Sequence, residues 1–401
     1  MTLSSTAGSA LPLHGVRVVA LEQAVAAPLA TRHLADLGAE VVKVERVGEG
    51  DFARAYDASV RGIASHFVWL NRGKESIALD LKSDEGRDLV LRLIDEADVF
   101  VQNLAPGAAD RLGLDVETLT ARNPRLIAVG LTGYGTSGPR RDRKAYDMLV
   151  QAESGLVSIT GTPQEATKTG IPTSDIAAGM YVFSSVLSAL YRRERTGKGA
   201  VIDISMFDST VEWLGHPMYV QLYEDRQIPR MGLSHAAIAP YDAFPTTDGQ
   251  VLIGVQNDRG WQLLCEQVFV DADLARDPRF VANVGRVAHR HELDAAVAAR
   301  TRRMTTAELE GALATSGVAA AQINDMSGLV EHPQLRDRDR WREIGTEVGP
   351  VDAVLPPMNF RDVELPMGDV PALGEHTVEV LSRIGLSADE ITSLRQNHTV
   401  Q

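Results

Sequence analysis

The sequence predicts an α/β fold, with a large domain built on a mostly parallel, doubly wound sheet and a smaller α+β domain after it. Two observations predict this class. In the first half of the chain, short valine-rich runs alternate with stretches of helical periodicity, which is the pattern of strand–helix–strand units in a parallel sheet. After about residue 227 this alternation stops, and a strand pair and several helices replace it. At 401 residues the chain is long enough for two domains.

The first unit begins with Val16–Leu21, a compact apolar run that suits a buried parallel strand. Ala27–Leu37 follows with apolar residues at helical spacing, and Gly38 provides a helix stop. Val41–Glu45 is a second strand of the same kind. We therefore expect a strand, a crossover helix and a parallel strand in this order.

The same unit recurs further along the chain. A helix over Asp84–Ala97 leads into a strand at Val99–Asn103, and Leu126–Gly130 is the next strand. Val201–Ser205 is the last strand of the predicted parallel sheet. In such a sheet, ligands bind at the carboxyl ends of the strands, and we expect the site there.

The smaller domain begins where periodicity is lost, between about 227 and 240. Tyr241–Pro245 and Gln250–Val255 then read as a strand pair, joined by the turn signal Thr247–Gly249. Helical patterns dominate from there to about Gly317.

The tail after about Pro350 is rich in proline and glycine. It ends in two predicted helices, near Glu375–Ile384 and Ala388–Gln396. The sequence contains no internal repeat.

Composition excludes several classes of partner. The formal net charge of −14 argues against nucleic acid or an anionic membrane, although a few local cations can still bind a phosphorylated ligand. The single cysteine, Cys265, allows no internal disulfide and favours a reducing compartment. The first fifteen residues lack a basic region and a long apolar core, so we expect no signal peptide, and no run of apolar residues is long enough to span a membrane. We expect a cytoplasmic globular protein.

The sequence lacks complete motifs for dinucleotide binding, phosphate binding, serine hydrolysis and metal binding. Gly133–Gly138 matches G-x-G-x-x-G after a strand, but Pro139 and a charged run follow where a dinucleotide site needs a helix. The sequence has no Walker A motif and no G-x-S-x-G elbow. His289 and His291 are two residues apart, which puts them on opposing sides of a helix, so we expect no metal site.

Asp175 heads the longest predicted helix, which runs to about Arg193 and has the basic segment Arg192–Gly199 as its carboxyl end and cap. On spacing alone, Asp175 or Ser174 is a helix cap. The alternative is a covalent nucleophile that attacks an acyl thioester and forms a mixed anhydride. Such a carboxylate needs to be ionised at neutral pH, and a helix amino end would favour that state.

The chain resembles the class III (formyl-CoA transferase-like) CoA-transferases, which share a fold with α-methylacyl-CoA racemase. The resemblance covers nearly the whole chain, and its motifs are specific in combination. They are Leu13–Val19, Gly38–Arg46 with Gly48 and Gly50–Asp51, Asn71, Lys74, Ser76, Leu79–Lys82, Val101–Gly107, Asp110–Gly113, Asn123–Leu126, Gly161, Asp175, Thr196–Gly199 and Leu373–Thr377.

The resemblance implies a role for each matching residue. Asp175 stands where the family has the aspartate that forms the anhydride and then the enzyme–CoA thioester. The implied CoA-binding residues are the basic Arg46, Lys82, Arg111 and Lys144 for the phosphates or adenine, Leu79, Asn103 and Leu112 for the groove, and Ala24 and Val25 for the backbone that flanks the thioester. The family implies no cofactor beyond CoA or acyl-CoA as substrate, and no metal.

Each implied contact has a structural alternative. Arg46, Lys82 and Lys144 could be ordinary solvated charges. Arg111 could be a helix-dipole partner at its helix end, and Asn103 could satisfy a turn after its strand.

Three departures from the family bear on specificity. Val25 stands where a formyl-CoA transferase has glutamine, and Ser234–Tyr241 replaces the glycine-rich flap, so both argue against formyl or oxalate substrates. The racemases have a Gly-His-Asp segment where this chain has Ala145–Asp147, and Tyr146 is a poor replacement for the missing histidine base.

Three hypotheses follow from the residues and the resemblance. The first is an acyl-CoA:carboxylate CoA-transferase that acts on short dicarboxylates, with succinyl-CoA as donor. The second is a 2-methylacyl-CoA racemase, and the third is a non-catalytic acyl-CoA-binding protein. A distal carboxylate could be held by His216 or Arg230.

The resemblance also implies a Rossmann-like large domain and an interlocked homodimer. It divides the chain into the first part of the large CoA-binding domain (1–224), the small α+β domain (225–325), and a linker with a C-terminal return to the large domain (326–401).

Overall fold

A computed structural model of the chain describes residues 11–401. The predicted absence of a signal peptide rests mainly on residues 1–10, which lie outside the described residues. The chain forms two compact units. Unit 1 comprises residues 11–156, 169–216 and 339–401, and unit 2 comprises 157–168 and 217–338. The predicted domain boundaries at 224/225 and 325/326 stay a prediction.

Unit 1 contains a six-stranded parallel sheet, which confirms the predicted fold class. Its strands are β1 (Arg17–Leu21), β2 (Glu40–Glu45), β3 (Glu75–Ala78), β4 (Val99–Gln102), β5 (Ile127–Thr132) and β6 (Ala200–Ser205). Their order is β3-β2-β1-β4-β5-β6, so the chain reverses direction across the sheet between β1 and β4. This switch point is where a doubly wound sheet opens a crevice for a ligand.

Helices connect these strands and complete the first part of the chain. They are α1 (Ala26–Asp36), α2 (Ser65–Asn71), α3 (Asp84–Asp95), α4 (Ala108–Arg111), α5 (Val116–Arg122), α6 (Asp147–Glu153), α7 (Leu156–Ile159), α8 (Thr173–Thr196), α9 (Met206–Trp213) and α10 (Gly215–Glu224), with a 3₁₀ helix at Phe52–Ala55. Gly197 ends α8 in a left-handed conformation, with Arg193 and Arg195 in the last turn, which confirms the predicted basic end and cap. None of the helices in residues 11–401 combines the length and apolarity needed to cross a bilayer.

Unit 2 has an α+β architecture around an antiparallel sheet of order β7-β8-β9. Its elements are β7 (Tyr241–Pro245), β8 (Gln250–Gly254), α11 (Asp258–Leu263), α12 (Ala272–Arg276), α13 (Asn283–Ala288), α14 (Arg290–Thr301), α15 (Thr306–Ser316), β9 (Ala319–Gln322), α16 (Met326–Val330) and α17 (Pro333–Arg336). The fully buried Trp261 and Leu264 belong to its separate apolar core. The predicted strand pair is confirmed, and so is the irregular stretch 227–240.

The tail returns to unit 1. It forms a hairpin of β10 (Trp341–Ile344) and β11 (Val351–Val354), and then α18 (Thr377–Arg383) and α19 (Ala388–Gln396). Both terminal helices match the predicted ones closely.

The parallel sheet is covered by helices on both faces. Val18 and Val41 belong to one buried cluster with side chains of α1 and α8. Their neighbours Val19 and Val42 belong to another, with side chains of α3, α18 and α19. Because successive strand residues point to opposite faces, a sheet buried on both sides requires continuous apolar runs, which these strands have.

Candidate active site

A cavity of about 430 Å³ lies across the carboxyl ends of the strands in unit 1. Its walls come from the residues that follow β1, β2 and β3 and from the segment after β4. Four of the predicted CoA-binding residues line it, namely Arg46, Leu79, Lys82 and Leu112. The fold thus brings these four residues to one cavity, although they lie up to 66 positions apart in the chain.

The loop between β1 and α1 is held by two side chains. Asn103, just after β4, accepts from the Gln23 N–H at 2.9 Å and donates to the Gln23 carbonyl at 2.9 Å. Asp51 Oδ1 accepts from the Ala24 N–H at 3.1 Å. Ala24 has a left-handed backbone, with a φ of 63°, which is unfavourable for a residue with a Cβ. The predicted groove residue Asn103 therefore acts on the cavity through Gln23, which lines it.

A cluster of buried charges lies beneath this loop. Lys74 Nζ lies 2.6 Å from Glu22 Oε1, and Lys43 Nζ lies 2.8 Å from Asp51 Oδ2 and 3.4 Å from Glu22 Oε1. The Glu22, Lys43 and Lys74 side chains are 0% exposed. Burial opposes ionisation of Glu22, but the charges of Lys74 and Lys43 lower its pKa overall, whereas burial lowers the pKa of Lys74 to about 8. Sequence reasoning missed this cluster, whose one signal was a glutamate directly after an apolar strand.

Asp175 is the third residue of α8 and is partly buried. It does not cap the helix. Asp147 Oδ1 accepts from the N–H groups of Ser174 (2.8 Å) and Asp175 (3.2 Å), and Asp147 Oδ2 accepts from Gln151 at 2.6 Å. The prediction that Asp175 or Ser174 caps the helix is therefore wrong, because the Asp147 carboxylate, 28 positions before Asp175, accepts from the helix amides.

The electrostatics at Asp175 differ from the expectation. Burial, and after it the Asp147 carboxylate, raise the pKa of Asp175 to about 7. A carboxylate fully ionised at neutral pH was expected from the helix dipole, but the Asp147 carboxylate already occupies the amides at that end. Tyr56 is nearby: burial, then Asp51 and Asp175, raise the pKa of its hydroxyl to about 12.

Close helix packing brings Asp175 to the β1–α1 loop. A Cβ added at Gly179 would lie 2.5 Å from the carbonyl oxygen of Ala26, so α8 approaches the first turn of α1 at a distance that only glycine permits. Val25 is buried with Leu29 and Leu70, and Ile176, which follows Asp175, packs against this group. The predicted thioester-flanking residues Ala24 and Val25 therefore lie beside the start of α8.

Five of the nine predicted CoA-binding residues do not line the cavity. Ala24, Val25 and Asn103 belong to the β1–α1 loop or hold it, as described above, and the other two are Arg111 and Lys144. Arg111 is exposed at the end of α4, and Lys144 is exposed in the irregular segment before α6. The two residues suggested for a distal carboxylate belong to different units: His216 is exposed in α10, and Arg230 donates to the carbonyls of Thr162 and Pro163 in unit 2. Within residues 11–401, no three His, Cys, Asp or Glu side chains group as metal ligands.

Comparisons with known proteins identify the family of the chain. The model of CoA-transferase family III matches residues 13–377. The chain is 36% identical to the succinate–glutarate CoA-transferase of Agrobacterium fabrum over 93% of this chain and 96% of that protein. It is 37% identical to the acetyl-CoA:oxalate CoA-transferase of Acetobacter aceti over 88% and 91% of the two chains. A crystal structure of a CaiB/BaiF family protein from Brucella suis superposes with a TM-score of 0.82 at 36% identity, over 93% and 99% of the two chains. The chain therefore belongs to CoA-transferase family III and is a CoA-transferase.

Proposed function

We propose that the chain transfers CoA from a dicarboxylic acyl-CoA, with succinyl-CoA as donor, to a short carboxylic acid, and that Asp175 is the nucleophile. The observation that carries the proposal is a carboxylate in the first turn of α8 that makes no cap, because Asp147 takes the helix amides. It lies beside the β1–α1 loop, which borders the cavity.

The steps exchange one acyl link at a time. An Asp175 oxygen attacks the donor thioester carbonyl, the carbon–sulfur bond breaks, and the CoA thiolate leaves a mixed anhydride. The thiolate then attacks the Asp175 carbonyl carbon, which releases the donor acid and leaves an aspartyl-CoA thioester. The acceptor carboxylate attacks that thioester and expels the thiolate, which finally attacks the acceptor half of the new anhydride and restores the Asp175 carboxylate. These steps consume no metal or redox cofactor.

Two relatives support the substrate class, since one is named for succinate and glutarate and the other for oxalate. Val25 in place of a glutamine argues against oxalate in this chain. We propose a C4 or C5 acid such as mesaconate, itaconate or citramalate as acceptor. The homodimer and the cytoplasmic location stay predictions from the sequence and the family.

The experiment incubates the purified chain with succinyl-CoA and a panel of carboxylic acids. We expect new acyl-CoA thioesters, and a CoA adduct on Asp175 that hydroxylamine or borohydride removes. The Asp175→Asn variant should form neither. Transfer by that variant at the parental rate would overturn the proposed mechanism.

One observation favours a racemase as second candidate. A carboxyl with a pKa of about 7 suits general acid–base catalysis at neutral pH. Racemisation needs a second base on the other side of the α-carbon, and the residue at the position of the family's histidine is the exposed Tyr146. Incorporation of deuterium at the α-carbon of a 2-methylacyl-CoA, without acyl exchange, would establish the racemase instead.

A further inference from the structure

The segment His398–Gln401 lies next to the cavity in unit 1, and its first residue, His398, lines the cavity. It runs beside the end of β3, where the Asp80 N–H donates to the Thr399 carbonyl at 2.8 Å. The Gln401 N–H donates to the Ala78 carbonyl at 3.2 Å, and Thr399 and Val400 are buried. Gln401 Oε1 also accepts from the Gly48 N–H at 3.0 Å, in the loop after β2. The segment is therefore fixed to the ends of two strands that border the cavity.

His398 stands at an unusual backbone position in this segment. It follows the last residues of α19 with a φ of 61°, and its N–H donates to the Arg395 carbonyl at 3.1 Å. Glycine or asparagine is usual at this left-handed position after a helix, and another residue costs roughly 1 kcal/mol. His398 is exposed and is one of the residues that line the 430 Å³ cavity.

In the cavity wall, the cations that have no buried partner outnumber the carboxylates that have no cationic partner. Three of its carboxylates are paired with cations: Glu22 and Asp51 with buried lysines, and Glu45 with Arg54 at 2.8 Å. The fourth, Asp80, accepts from the backbone N–H of Lys82 at 3.0 Å and keeps its charge. The cations Arg46 and Lys82 line the same cavity. Arg46 pairs with Glu49 at 2.7 Å, but both side chains are more than 60% exposed. Because an exposed ion pair is weak, Arg46 can exchange Glu49 for an anionic ligand.

Strand order gives the ligand a direction. β1 and β3 are separated by β2, so their ends lie roughly 10 Å apart across the sheet. Gln23 follows β1 on the side of Ala24 and Val25, whereas Lys82 and His398 lie at the β3 side. A CoA whose thioester lies beside the β1–α1 loop can therefore extend along the cavity with its phosphorylated end at the β3 side.

We propose that His398 is a phosphate-binding residue of the CoA groove, where its imidazole donates an N–H to a CoA phosphate beside Arg46 and Lys82. The inference rests on the proposed function, because it assumes that the cavity receives the CoA portion of the substrate.

The test compares His398→Gly with the parental chain. Glycine accepts the left-handed backbone, so the variant should melt at the parental temperature or above. We expect KM for succinyl-CoA to rise about five- to tenfold, the size of one exposed charge-assisted hydrogen bond, with kcat unchanged. With a succinyl-pantetheine thioester, which has no phosphate, the variant and the parental chain should have equal kcat/KM. Val270→Gly, at another left-handed position (φ 53°) in unit 2, is the matched control and should leave both substrates unaffected.

An unchanged KM for succinyl-CoA would overturn the proposal, and so would an equal loss with both thioesters. Calorimetric titration with CoA itself separates this failure from failure of the proposed function. If the parental chain binds CoA and His398→Gly binds it equally well, only the role of His398 is wrong. If the parental chain neither binds CoA nor transfers it, the proposed function is wrong.

Discussion

Asp147 caps α8, and this leaves the Asp175 carboxylate available for the proposed nucleophilic attack. Asp147 accepts from the helix amides, and Asp175 is left without that stabilisation, next to a like charge. The sequence could not separate these roles, because a cap and a nucleophile need the same residue at the same spacing. The residue that decides between them lies in another element, and nothing local to Asp175 indicates it.

The pH dependence of the first chemical step follows from this pair. Since the nucleophile must be ionised, kcat/KM for succinyl-CoA should rise with pH around a midpoint near 7, the pKa of Asp175. Burial is the main cause of the raised pKa of Asp175, and the Asp147 charge adds to it. Asp147→Asn keeps an oxygen acceptor for the amides but removes that charge, so the midpoint should move to lower pH. The control is Asp142→Asn, which removes an 81% exposed carboxylate five positions away. An unmoved midpoint in Asp147→Asn would contradict the coupling.

The Asp175 carboxylate should lower the stability of the folded protein at neutral and higher pH. An Asp whose pKa is raised from 3.8 to about 7 on folding favours the folded state only when protonated, so its contribution is lost as pH rises from about 4 through 7. Asp175→Asn should therefore raise the free energy of unfolding at pH 8 by at most a few kcal/mol, and change it little at pH 4. Chemical denaturation at the two pH values measures this. A variant that is less stable at pH 8 would show that the carboxylate has a stabilising partner.

At the scale of elements, the contact between α1 and α8 sets the geometry of the site. α1 begins after the loop that carries Ala24, and Asp175 lies in the first turn of α8, so a change in the separation of the two helices moves both sides of the proposed reaction. Gly179 is the point of closest approach, at which a Cβ would meet a backbone oxygen.

Gly179→Ala should separate the two helices. We expect a loss of about 1–3 kcal/mol in stability, as for other overpacked cores, together with a lower kcat. Gly311→Ala in α15 is the matched control, since an added Cβ there meets nothing within 4 Å, and it should stabilise by about 0.5–1 kcal/mol. Thermal melts and initial rates on both variants check the prediction. A Gly179→Ala variant with parental activity would mean that the spacing does not control the site.

Sequence patterns predicted the strands with strong apolar runs and missed those without them. Val18, Val41 and Val99 lie in runs that read as strands because the sheet is buried on both faces. β9, with the sequence Ala-Ala-Ala-Gln, has no such signal, and pairing with β8 rather than its own propensity makes it a strand. The loop network of Asn103, Asp51 and Gln23 joins residues up to 80 positions apart, which no local pattern encodes.

At the scale of the whole molecule, the net charge of −14 and the anionic substrate are reconciled by local placement. Three of the four carboxylates of the cavity are paired with cations, and the exposed Arg46 and Lys82 at its wall remain available to phosphate. The family resemblance provided residue roles that composition could not. Arg111 and Lys144 lie outside the cavity, and their contacts with CoA stay predictions.

The two buried lysines have a consequence for the lifetime of the protein. Activated thioesters acylate free amines without any enzyme, and this chain has six lysines, of which Lys43 and Lys74 are fully buried. After prolonged exposure to excess succinyl-CoA, peptide mass spectrometry should find succinyl groups on the exposed Lys82, Lys144 and Lys198 and none on the buried pair. In urea, where the chain is unfolded, Lys43 and Lys74 should be succinylated as well. Succinylation of either lysine in the native protein would contradict the prediction that burial protects them. Lys43 and Lys74, which pair with the carboxylates beneath the β1–α1 loop, would thus escape the slow acylation by succinyl-CoA that modifies the exposed lysines.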